Sequence, residues 1–212
     1  MNFERNSQLS GKHAILSPSQ SSWLRYTSEE ELISRIKAYY AAPIGTALHE
    51  IASDLIGKRL KINKHDKKLV LFELLKKKIP RRVIDMDIWY DAFMTFVNDA
   101  IDYDMFSEIP LDYTDVAFGH TDAISFDERT KKLRIHDLKT GVKEAKMDQL
   151  IVYAALFCLK NKIKPMDISI ELRIYQSSDI MTMVPDPEEV MQVINIIIDE
   201  NKFITGYLRE EG

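Results

Sequence analysis

Two stretches of sequence decide the fold: DVAFGHTDAI at residues 115–124 and LRIHDLKTG at residues 133–141. Each has the length of a strand, and the second alternates in part between apolar and polar residues. The polar residues 127–132 between them are typical of a turn that joins two paired strands. The sequence therefore predicts a β-hairpin near the middle of the chain.

The predicted hairpin brings two acids and a lysine together. Asp122 lies on the first strand, and Asp137 and Lys139 lie on the second, where a spacing of two puts both side chains on one face. Paired carboxylates bind a hard divalent cation such as Mg²⁺, and a nearby ammonium group stabilises developing negative charge. This is the chemistry of metal-assisted phosphodiester hydrolysis. The pair by itself leaves an alternative open, which is a salt bridge between Asp137 and Lys139 on a surface hairpin.

Short motifs surround the hairpin in a definite order. Gly-x-x-Asp ends at Asp122, Asp-x-Lys begins at Asp137, and Gln-x-x-x-Tyr follows at Gln149 and Tyr153 on a predicted helix. Upstream lie the segment GTALHE at residues 45–50, an acid at Glu108 and the serine-containing segment LSPSQ at residues 16–20. Together these motifs resemble the RecB-like branch of the PD-(D/E)XK nuclease superfamily, and the resemblance runs from about Ser17 to Tyr175.

The predicted elements follow the order helices, strand, strand, helix, strand, helix, which indicates an α/β fold with a mixed central sheet flanked by helices and a helical N-terminal half. This agrees with the restriction-endonuclease-like core that the resemblance implies. The resemblance implies one nuclease domain over residues 1–212, with a helical insertion or arch at about 58–105 and the αβ catalytic core at 106–212. Two details of the helices are predicted from residue patterns. One helix should stop before Pro43 and another should open at Gly45, and residues 69, 71, 72, 74 and 75 should supply one apolar face.

The resemblance also implies the site and its cofactor. The metal, Mg²⁺ or Mn²⁺, would be held by His49, Asp122, Asp137 and the backbone carbonyl of Leu138. Lys139 would position the attacking water, and Glu108 would support the metal through water. Gln149, Tyr153 and Ser19 would contact DNA.

Charge is distributed unevenly along the chain. Residues 58–82 contain eleven Lys or Arg and two acids, whereas residues 83–118 contain nine acids and no Lys or Arg. The basic block, and Lys76, Lys77 and Lys78 in particular, is a candidate phosphate-binding surface. The alternative is that the two blocks form solvated helix faces of opposite sign that face each other.

Composition excludes several classes of protein. No apolar run is long enough to span a bilayer, and the first residues lack a signal core, so we expect a cytoplasmic protein without a membrane partner. Cys158 is the only cysteine, so the chain cannot build the four-cysteine iron–sulfur cluster that several RecB-like relatives carry.

We therefore expect a metal-dependent nuclease that hydrolyses DNA phosphodiester bonds. The resemblance favours a small free-standing exonuclease that acts on linear ends in DNA recombination, repair or phage DNA metabolism. A helicase, recombinase or other protein would be its partner. The alternative class is a catalytically silent nuclease-fold protein that binds DNA or a protein partner without cutting.

Overall fold

The computed structural model describes residues 13–141 and 144–209, and within them the chain forms five α-helices and one five-stranded sheet. The helices are α1 (Glu29–Gly57), α2 (Lys67–Lys76), α3 (Met86–Asp102), α4 (Asp148–Asn161) and α5 (Pro187–Arg209). The strands are β1 (Phe106–Thr114), β2 (Ala117–Asp127), β3 (Lys132–Lys139), β4 (Ser169–Gln176) and β5 (Asp179–Met183). The expected α/β class and the helical N-terminal half are both confirmed.

The sheet is mixed, and its strands follow chain order from β1 to β5. The pairs β1–β2, β2–β3 and β4–β5 are antiparallel, whereas β3 and β4 run parallel and are connected through α4. The predicted hairpin is β2–β3, with Asp127 opposite Lys132 at its turn end.

Helices cover both faces of the sheet because β3 and β4 carry apolar side chains on both of their faces. Leu133 and Ile135 lie in a core cluster with α4 and α5, whereas Leu138 lies in a second cluster with α1, α2 and α3. The chain before β1 therefore forms one helical layer, and α4 and α5 form the other.

The helix boundary predicted at Pro43 is wrong. The structure has one helix, α1, which begins at a capping box between Ser28 and Glu31 and runs through Pro43 to Gly57. Proline inside a helix removes one backbone hydrogen bond, but the residues that α1 buries all follow it, starting at Ile44. Burial of that later part supplies the free energy that keeps the helix continuous.

The single apolar face predicted for α2 is also wrong. Val70 and Leu74 are buried, four residues apart on one side of the helix. Leu69, Phe72 and Leu75 lie on the other side and are exposed. A helix of ten residues cannot turn all of these positions toward one neighbour, because each residue advances by about 100° around the axis.

None of the described helices is long and apolar enough to cross a membrane.

Candidate metal centre

Three side chains from three elements meet at one point above the sheet. His49 comes from α1, Glu108 from β1 and Asp122 from β2, and one ligand atom of each lies within 4.8 Å of the others. His49 Nδ1 is 3.2 Å from Asp122 Oδ1. α1 can lie this close to the end of β3 because it presents Gly45 there, where an added Cβ would be 3.1 Å from the hydroxyl oxygen of Thr140.

The strand register explains why the acids converge. Ser107 pairs with Ala123 and Ile109 pairs with Thr121, so Glu108 lies opposite Asp122. Between β2 and β3 the last regular pair at this end is Ala123 with His136, and continuing that register puts Asp122 opposite Asp137. Three carboxylates therefore occupy a row across three neighbouring strands.

Asp122 also closes the gap between β2 and β3. Its Oδ2 accepts a hydrogen bond of 2.7 Å from the backbone N–H of Leu138, where a regular ladder would use a backbone carbonyl. Oδ1 is left to face His49. The side chain is thus held at both oxygens, and its orientation at the site is determined by the end of the ladder.

The backbone of Glu108 is strained. Its φ is 54°, which is uncommon for a residue other than glycine and costs on the order of 1 kcal/mol or more. The strand changes face at this residue: the hydroxyl of Ser107 bonds that of Ser53 on α1, whereas Ile109 packs in the cluster on the opposite side of the sheet. In a regular strand, residues 107 and 109 would share a face. The strain turns the Glu108 carboxylate toward Asp122 and His49.

Asp137 is the third carboxylate of this row and is only 3% exposed. Its Oδ1 accepts a hydrogen bond of 3.2 Å from the Lys139 ammonium group. Its Oδ2 lies 2.9 Å from the same nitrogen, close enough for an ion pair but off the direction of a hydrogen bond, and has no hydrogen-bond partner among the described residues. Burial and the negative charge of Asp122 raise the pKa of Asp137 to about 6. Asp137 and Lys139 therefore form the ion pair of the alternative, but its carboxylate is buried and its lysine is about one-third exposed.

Lys139 is held by a chain of side chains from α4. Its ammonium group donates to Gln149 Oε1 at 2.9 Å, and Gln149 Nε2 donates to the Tyr153 hydroxyl at 3.1 Å. The ring of Tyr153 lies against β2 at Gly119, where an added Cβ would come within 2.7 Å of Cε1. Gly119 is thus needed for close packing, and Gln149 and Tyr153 orient Lys139.

The pKa values of His49 and Glu108 are also shifted. Burial opposes protonation of His49, but its hydrogen bond with Asp122 and the charges of Asp122, Asp137 and Glu108 outweigh burial and raise its pKa. Desolvation and the charge of Asp122 raise the pKa of Glu108, against the opposing charges of His49 and His120. This excess of negative charge favours a bound cation.

The donor set fits a divalent cation. Carboxylate oxygens suit hard ions and imidazole adds a ligand typical of transition metals. His49, Glu108 and Asp122 would hold the ion, with Asp137 behind them. Asp137 is not among the three whose ligand atoms lie within 4.8 Å of one another, whereas Glu108 is one of them.

The site opens into a groove of 890 Å³ between α1 and the β1–β2 hairpin. Besides the three ligand residues, Glu50, Ser53, Asp54 and Lys58 line it. A groove of this size admits an extended polymer or a small molecule.

Comparison with protein-family models gives a match that covers most of the chain. Residues 13–177 match the model of the family described as "Protein of unknown function (DUF2800)". The chain belongs to this family. A search of curated proteins found no match. All the residues of the metal centre lie inside the DUF2800 segment, whereas α5 lies beyond it.

In this DUF2800 protein, six of the eleven basic residues at 58–82 form ion pairs with described acids. Cross-element pairs join Arg59 to Asp104, Lys61 to Asp102, Lys67 to Asp87 and Lys77 to Glu50, and Lys76 is 2.7 Å from Glu73 on its own helix. These contacts support the alternative of facing helix surfaces of opposite sign. Lys78 has no ion-pair partner among the described residues. Ser19 lies in the 3₁₀ helix Pro18–Arg25, and its hydroxyl is 2.8 Å from that of Ser17.

A buried polar network behind the site has no signature in the sequence. The Tyr175 hydroxyl donates to Asp99 on α3 at 2.7 Å and lies 3.1 Å from His136 Nδ1, next to Asp137 along β3. Arg173 also donates to Asp99, at 3.1 Å. Burial and the charge of Arg173 lower the pKa of His136 to about 3, so the ring is neutral. The network ties α3 to β3 and β4 and supports the strand that carries Asp137.

Proposed function

We propose that this protein is a Mg²⁺- or Mn²⁺-dependent deoxyribonuclease with a restriction-endonuclease-like core of the RecB-like kind, and that it degrades DNA from linear ends. The observation that carries the proposal is the convergence of His49, Glu108 and Asp122 within 4.8 Å beside the ion pair of the buried Asp137 with Lys139. The order of these residues along the sequence matches the nuclease motifs, and their order in space suits one cation and one phosphate.

The residues have separate roles. His49, Glu108 and Asp122 bind the cation, and Asp137 adds a buried negative charge and an oxygen that still has an open acceptor position. When bound, the cation polarises the phosphodiester and lowers the pKa of coordinated water. Leu138 helps through its backbone N–H, which orients Asp122. Its carbonyl, the ligand inferred from the resemblance, stays a prediction.

Lys139 acts on the reacting phosphate. Its ammonium group is positioned by Asp137 and Gln149, and its side chain is about one-third exposed to solvent. Negative charge grows on the phosphate oxygens in the transition state, and a fixed cation nearby stabilises that charge more than it stabilises the bound substrate. Lys139 therefore increases turnover more than affinity.

The proposal is tested by cleavage of labelled linear and circular DNA in the presence of Mg²⁺ or Mn²⁺. Lys139→Ala should lower turnover by roughly 10²-fold or more while Mn²⁺ affinity, measured by calorimetry, stays close to that of the wild type. Asp122→Ala should lose both DNA cleavage and Mn²⁺ binding. Lys146→Ala is the matched control, because Lys146 is an exposed lysine on the segment that follows the site.

Two outcomes would contradict the proposal. If Lys139→Ala cleaves DNA at the wild-type rate, Lys139 has no part in the chemistry. If the wild-type protein cleaves neither DNA form with either metal but binds DNA, the non-catalytic alternative is correct. Preference for linear over circular DNA distinguishes an exonuclease from an endonuclease.

A further inference from the structure

The outer face of α2 is apolar, and no other residue that the structure describes covers it. Leu69 is 63% exposed, Phe72 is 56% exposed and Leu75 is 39% exposed, and a spacing of three keeps them on one side of the helix. Scattered exposed apolar residues are normal, but a contiguous group with a charged rim marks an interaction surface. Since Val70 and Leu74 anchor the other side of α2, rotation of the helix cannot hide this face.

The rim of this face is basic. Lys64 and Lys68 are exposed and have no ion-pair partner among the described residues. The Lys76 ammonium group lies 4.6 Å from the centroid of the Phe72 ring. The face therefore fits an apolar surface that carries acidic groups.

The outer face of α5 is such a surface, because it is apolar and carries acidic groups. Ile196 is 59% exposed, Phe203 is 69% exposed and Tyr207 is 59% exposed. Two acids, Asp199 and Glu200, accompany them and are themselves exposed, with no ion-pair partner in the part of the chain that the structure describes.

The same face contains a hollow of 410 Å³ that can receive a side chain. Asp199, Lys202, Phe203, Gly206 and Tyr207 line it. The first four stand at positions i, i+3, i+4 and i+7, which is the arrangement that receives a side chain from a facing helix in knobs-into-holes packing. Gly206 leaves room at its floor, because an added Cβ there would meet no atom within 4 Å.

We propose that α2 of one copy of this chain packs against α5 of a second copy, so that the protein self-associates. The apolar residues of the two faces cover each other, a large side chain of α2 such as Phe72 enters the hollow of α5, and Lys64 and Lys68 lie near Asp199 and Glu200. The two surfaces differ, so the contact is head-to-tail and produces a ring if it closes and an open chain if it does not.

A head-to-tail contact makes a specific prediction for mixed variants. Phe72→Glu places a charge on the apolar face of α2, and Phe203→Lys places one on the apolar face of α5. Both positions are exposed, so neither change should unfold the chain. Each variant alone should be monomeric by light scattering on a sizing column, whereas the wild type forms larger species. An equimolar mixture should form a dimer and stop there, because one intact face of each kind remains.

Controls and refutation use the same measurement. Val184→Lys changes another exposed apolar residue, 72% exposed, outside both faces, and should leave the wild-type size unchanged. Lys68→Glu should weaken association by about tenfold or more, and Glu200→Lys in the second partner should restore it. A wild type that is monomeric across a dilution series overturns the proposal and assigns the faces to other partners. An oligomer that Phe72→Glu does not disrupt overturns it as well.

Discussion

Replacing Asp137 by asparagine should stabilise the metal-free protein while removing the nuclease activity that we propose. Asp137 is 3% exposed, and the pKa of its carboxyl group is raised from 3.8 to about 6 by burial and by the charge of Asp122. Above pH 6 the folded protein must therefore keep a charge in a place that disfavours it. Asparagine has nearly the same shape and carries no charge.

The size and the pH dependence of this effect follow from the pKa shift. A shift of about two units corresponds to roughly 3 kcal/mol of unfolding free energy, as an order of magnitude. Because the folded-state pKa is the higher one, Asp137 favours folding below its unfolded pKa, and this contribution is lost as the pH rises through 6. The asparagine side chain does not titrate. The advantage of the variant over the wild type should therefore be largest above about pH 7 and smallest near pH 4.

Urea denaturation in the presence of a chelator measures this difference at several pH values. Added Mn²⁺ serves as the control, since an ion that binds the folded wild type more tightly than it binds the variant stabilises the wild type more and narrows the difference in stability. A variant that is less stable than the wild type at neutral pH in chelator would refute the reasoning. A difference in unfolding free energy between variant and wild type that does not change with pH would also refute it.

Two further predictions concern packing and nucleic-acid affinity. Gly119→Ala should cost about 1–3 kcal/mol of stability, because its Cβ would lie 2.7 Å from the Tyr153 ring, and the cost should fall in a Tyr153→Ala background, as a double-mutant cycle in thermal denaturation would report. Replacing Lys76, Lys77 and Lys78 together by glutamine should flatten the log–log salt dependence of duplex DNA binding by about 0.9 for each DNA phosphate that these lysines neutralise. An unchanged slope would mean that these lysines, two of which already have acidic partners, serve only the surface of the helical layer.

Much of the local structure was predictable from the sequence. The β2–β3 hairpin, α4 and the position of Asp137 and Lys139 on one face follow from short-range periodicity, which depends on neighbours within a few residues. The mixed sheet between helices followed from the order of these elements. The motif order also predicted Asp122 and His49 as site residues, although nothing local says that a residue on α1 must lie 3.2 Å from one on β2.

Tertiary structure decided the rest. Glu108 is a ligand candidate of equal standing to His49 because β1 changes face at a strained residue, and such strain exists only where the surrounding contacts enforce it. Tertiary contacts also keep α1 continuous, because burial of the residues after Pro43 outweighs the tendency of proline to end a helix. In α2, packing against the neighbouring helices buries Val70 and Leu74 and leaves Leu69 and Phe72 exposed. The sequence by itself determines which residues can share a face, whereas the packing of distant segments determines which face is buried, because that choice depends on contacts between residues far apart in the chain.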